Sequence, residues 1–170
     1  MWPRLYKSTD AVSRVLAWIS GGLIFLIAFL QLFEILLRNV ANISLSFVWE
    51  FAAYMHIAAI FLGLSMTLRT GGHIQVTLLA TVMPRVFQLM STLGGLLFSG
   101  YLSFALIQLA WNWGATGRTS GTVDDIPLVI PISFVAFGAV MLTVQLCLRL
   151  FHILLGTPTE IQWSSGPSAE

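Results

Sequence analysis

Charge is nearly absent from four long stretches of this chain and gathers in the short segments between them. Only Glu34 is charged in the 23 residues between Arg14 and Arg38, and the 30 residues between Arg38 and Arg69 hold Glu50 as the only carboxylate and His56 as the only imidazole. The 32 residues from Val86 to Gly117 and the 23 from Ile126 to Leu148 carry no charge. A helix rises ~1.5 Å per residue, so ~20 apolar residues cross the hydrocarbon of a bilayer. Each stretch is long enough, which predicts an all-α integral membrane protein with four transmembrane helices. Charged residues make up only 9% of the chain, against roughly 25% in soluble domains. A soluble surface could not be covered with so few.

The formal net charge is +1 and no Lys/Arg cluster is present, which excludes a nucleic-acid binder of the usual basic kind. The lone Cys147 lies within the fourth apolar stretch. A single thiol offers no disulfide framework, paired redox motif or thiolate zinc site. Basic residues precede the first apolar run, as in a signal peptide. That run exceeds the ~7–15 residues of a signal core and lacks a small-x-small cleavage site before Arg38. It reads as a retained first span.

The expected spans are about 15–37, 47–68, 86–113 and 127–152, within one membrane domain over residues 1–155. Lys and Arg gather at cytoplasmic ends of spans. A cytoplasmic N-terminus places Arg4, Lys7, Arg14, Arg69, Arg85 and Arg149 inside and only Arg38 and Arg118 outside. Both termini are therefore expected in the cytoplasm. Asp10 is placed to cap the first helix, and Ser44 and Ser46 the second. Trp18, Trp49, Trp111 and Trp113 suit the membrane interface. Gly114 to Gly121 reads as a flexible turn. Pro127 and Pro131 delay the fourth helix, which is expected to become regular after Pro131. Residues 72–84 are apolar but too short to span, and suit a helix lying in the cytoplasmic interface between spans 2 and 3. The alternative is a tilted extension of the third span. Residues 156–170 are polar and read as a disordered cytoplasmic tail.

Ionisable groups within spans call for a reason. Glu34 and Arg38 stand four apart with the acid first, the better orientation for pairing. Arg38 could also reach Glu50 and lock two helices, or these charges could meet a partner protein. Glu50 sits near a helix start, where the dipole favours an anion. His56 could bond a backbone carbonyl or a neighbouring helix. A haem normally needs a second axial histidine at similar depth, and His73 and His152 both fall near the other side. Asp124 and Asp125 are adjacent acids on a loop, either solvated or capping. No pattern suggests catalysis, a bound cofactor or a metal site. No inverted repeat of the transporter-core kind is present.

Glu50, Tyr54, Gly63, Arg69 and Gly72-His73-Ile74 form an ordered series, with Arg38 ending the first span. This series resembles the small membrane subunit of TRAP (tripartite ATP-independent periplasmic) transporters, the DctQ type. The similarity covers the membrane portion in span number, spacing and orientation, and is most specific from Arg38 to Leu79. Ile126-Pro127 is also similar. The chain departs from the family where Trp49 precedes a single Glu50, at Ala53 in place of a frequent base, and at Thr77 in place of a common Asp. No role needing a negative charge therefore carries over to Trp49 or Thr77.

The resemblance implies an accessory scaffold in a bacterial inner membrane. Its partners would be a large permease, which carries substrate and sodium, a periplasmic substrate-binding protein and membrane lipid. The cargo it implies is an organic acid. Arg38, Glu50, Glu34, Asp124 and Asp125 are candidates for helix locking or partner contact, and Arg69, His73 and Arg85 for fixing the cytoplasmic connector, with Arg69 reaching lipid headgroups. Two rivals predict different behaviour. A haem-bearing respiratory anchor predicts an absorption band, and a homo-oligomeric channel predicts transport by this chain alone.

Overall fold

The computed structural model describes residues 2–70, 84–122 and 124–155, with side chains described for 8–70, 86–122 and 124–155. The interfacial connector, His73 and the tail at 156–170 lie outside the described residues, Pro84 at the connector's end excepted. Among the described residues there are four helices: α1 (Trp2–Ala41), α2 (Ser46–Arg69), α3 (Pro84–Thr116) and α4 (Val129–Leu155). All four contain windows long and apolar enough to cross a membrane.

The helix ends follow local chemistry, and several differ from expectation. α1 is 40 residues long, roughly 60 Å at the standard rise, so Asp10 lies inside the helix and cannot cap it. It stops at Asn42, whose φ of 55° places it in the left-handed region, a conformation asparagine tolerates better than most residues. The amide of Ile43 then reaches back to the Leu37 carbonyl. The residue before α2 is Leu45, which makes no side-chain cap. Ser44 instead points its hydroxyl at Glu34, so the expected serine caps are not formed. Pro84 opens α3 and Pro131 falls in the first turn of α4. Both positions lack an intrahelical amide partner in any case, so proline costs little there. The fourth helix accordingly starts before Pro131, not after it.

The helices form a row rather than a closed bundle. α1 packs on α2, α2 on α4, and α4 on α3, while α1 meets α4 only slightly and never meets α3. Small residues let the central pair approach closely. A Cβ added to Gly138 would stand 2.6 Å from the carbonyl carbon and oxygen of Phe61. Ala139 and Ala59 are fully buried. At the α1–α2 crossing Ser20 donates to the Ala59 carbonyl at 2.6 Å, and a Cβ on Gly63 would lie 3.0 Å from the Ser20 oxygen. Across α3 and α4, Ser103 and Thr143 share a hydrogen bond of 3.0 Å. Large apolar side chains such as Phe25, Leu97 and Phe98 point outward.

Candidate partner-contact sites at the two ends of the row

The row has a loop end, holding residues 42–45 and 117–128, and a terminal end, where α1 begins and α2 and α4 finish. Polar side chains concentrate at both.

At the loop end Glu34 is 1% exposed. Its carboxylate accepts a hydrogen bond from Ser44 at 3.4 Å and lies 3.9 Å from the half-exposed Arg38. The helical spacing of four brings this pair together, as expected. Arg38 does not pair with Glu50, so no ion pair of that kind locks α1 to α2. Glu50 is held differently: Tyr54, one turn on, donates to its Oε1 at 2.7 Å, and Thr122 donates to Oε2. The second contact ties the start of α2 to the segment before α4.

That segment is braced rather than the loose turn expected. Ser120 N–H donates to the Ile126 carbonyl at 2.9 Å and Leu128 N–H to the Arg118 carbonyl at 3.1 Å. Thr119 and Pro127 form an isolated β-bridge. The Ile126 amide donates to the Ser120 hydroxyl at 3.2 Å. Arg118 lies over the Trp113 ring, 5.6 Å from its centre. Asp124 and Asp125 are exposed, and Asp125 has a φ of 45°, so it does not act as a simple helix cap.

At the terminal end Arg69 is 4% exposed, and its Nε lies 3.4 Å from Asp10 Oδ1. This corrects the expectation that Arg69 snorkels to lipid headgroups. α1 continues far enough to bring Asp10 beside the end of α2, and the guanidinium turns inward to it. The other Asp10 oxygen accepts from Arg14 at 3.3 Å. Beside them Gln145 donates to the fully buried Ser13 hydroxyl at 2.7 Å and to the Thr9 carbonyl at 3.4 Å. Arg85 lies in the first turn of α3. The sequence signal for Asp10–Arg14 was present, an acid four residues before a base. Nothing local pointed to Thr122 or Gln145, whose partners lie 72 and 132 residues away.

His56 is exposed on α2 and bonds neither a carbonyl nor a neighbouring helix within the described residues. His152 lies in the last turn of α4, at the terminal end, so the two described histidines stand at different levels and do not face each other. Among the described residues no three His, Cys, Asp or Glu side chains converge as metal ligands. An apolar groove of about 320 Å³ runs along one face of α2, lined by Leu23, Phe51, Tyr54, Met55, Leu62 and Ile130 among others.

Four apolar helices in an open row, joined to one another by a few polar contacts, define a multi-pass membrane component. Residues 24–156 match the family described as tripartite ATP-independent periplasmic transporters, DctQ component. The match spans most of the chain, which belongs to this family. No curated protein and no solved structure matches it.

Proposed function

We propose that this chain is the static small permease subunit of a sodium-coupled, binding-protein-dependent importer of organic acids, and that it anchors and enlarges the large permease subunit in a bacterial inner membrane. One observation supports this reading above the others. Polar contacts join its helices to one another, leaving broad apolar faces for packing and, among the described residues, no line of groups to conduct an ion. Sodium and substrate would then bind the large subunit, and this chain needs neither cofactor nor catalysis.

The six-to-two distribution of basic residues supports a cytoplasmic terminal end. The loop end then faces the periplasm, offering Asp124 and Asp125 to the binding protein or the permease rim. Arg38 acts through Glu34, and Glu50 acts by tethering the loop. Arg69 fixes the end of α2 through Asp10, next to the connector that carries His73 and leads to Arg85.

The test is to tag the chain, extract it in mild detergent or native-lipid discs, and identify what accompanies it by mass spectrometry. A stoichiometric large polytopic permease is expected. A haem-bearing enzyme, or a homo-oligomer with no such permease, would overturn the reading.

A further inference from the structure

His56 occupies an unusual place. α2 has 24 residues from Ser46 to Arg69, and His56 comes ten after the first, roughly 15 Å along a helix of about 36 Å. It therefore lies close to the middle of the span. Its side chain is exposed, and it takes part in no hydrogen bond or ion pair among the described residues.

A helix advances about 100° per residue. Trp49, Ala53, His56, Ile60 and Thr67 consequently share one stripe, and all five are exposed. The α1 contact runs through Ala59 and Gly63, and the α4 contact through the backbone of Phe61 and Leu62. The apolar groove, with Phe51, Tyr54, Met55 and Ala58, lies between those contacts on the far side of α2. Gly63, seven residues after His56, brings the edge of this stripe against α1, while Trp49, Ala53, His56, Ile60 and Thr67 stay exposed in the described row.

We propose that this stripe of α2 is the seam against the large permease subunit, which supplies a polar group to the His56 imidazole at mid-membrane depth. The proposal rests on the scaffold function given above and names the surface that performs it. Acyl chains offer neither donor nor acceptor, so an imidazole turned toward them loses its hydrogen bonds to water without replacement. Groups deep in the spans, such as Ser20 and Ser103, find their partners on neighbouring helices. His56 gains such a partner only if another protein chain covers it. Ala53, one turn before it, leaves room for a helix to approach closely. Trp49, 56% exposed, and Ile60, 49% exposed, supply apolar contact on either side.

The test uses the assembled transporter in native membranes. A photo-reactive residue at Ile60 is expected to capture the permease subunit on illumination. If Ile60 captures a second copy of this chain, lipid or nothing, the proposal is overturned. The same residue at Phe51 or Phe104 shows which other face meets the permease in that case. His56→Leu is expected to lower the permease retained in mild detergent about threefold to thirtyfold, the range for one interhelical hydrogen bond. His56→Asn should retain more than His56→Leu. Equal retention by all three forms overturns the hydrogen bond, and unchanged helical circular dichroism shows that the variants are folded. If the unaltered chain brings down no permease, the scaffold reading fails rather than this assignment of its surface.

Discussion

Asp10 is shared by two arginines in different surroundings. The Arg14 side chain is 55% exposed and that of Arg69 only 4%. An exposed ion pair four apart on a helix contributes about 0.3–0.5 kcal/mol, so Arg14→Ala should barely shift the melting temperature in detergent. Asp10→Ala takes the carboxylate from a buried guanidinium. It is expected to cost about 3 kcal/mol, the low end for breaking a buried pair because Asp10 itself keeps some solvent. Thermal melts of both variants check the contrast, and equal shifts would refute it. Spacing made Glu34–Arg38 legible from sequence, while Asp10, which read as a helix cap, pairs with Arg14 at the same spacing. The burial of Arg69 was not legible, because it depends on how far α1 continues, and the stretch before Arg14 holds too many polar residues to read as helix core.

The elements carry their own constraint at Gly138. Any side chain there collides with the Phe61 backbone, so α2 and α4 must move apart. Gly138→Ala is expected to cost about 1–3 kcal/mol by overpacking, and Gly138→Leu to leave little folded protein in an expression and size-exclusion assay. The loop end offers a second test. Glu50 and Thr122 act as one tether, so Glu50→Gln and Thr122→Val should each speed amide exchange at Ser120 and Ile126. The double variant should add little to either; additive effects would show that the residues act separately. Helix number and approximate bounds were readable because charge and hydropathy report them directly. The Pro131 start was misread because a proline in the first turn and one outside the helix look alike in sequence. The braced loop was unreadable because its bonds join residues by position, not by type.

At the scale of the molecule, the order α1–α2–α4–α3 was not legible. All four helices are apolar around most of their circumference, so no single stripe announces which neighbour each one takes. The row has two faces and no interior, which suits a wall better than a pore. In sealed proteoliposomes the chain alone is therefore expected to move no organic acid. Uptake should appear when the large permease and binding protein are added with a sodium gradient, and transport by the chain alone would refute the static role. The row also bears on biosynthesis. Among the described helices α3 touches only α4, yet it leaves the ribosome before α4 does. Until α4 arrives, the α1–α2 hairpin and α3 have no helix joining them among the described residues. The fourth helix slides between them and joins the two, so the row can close only after α4 has been made.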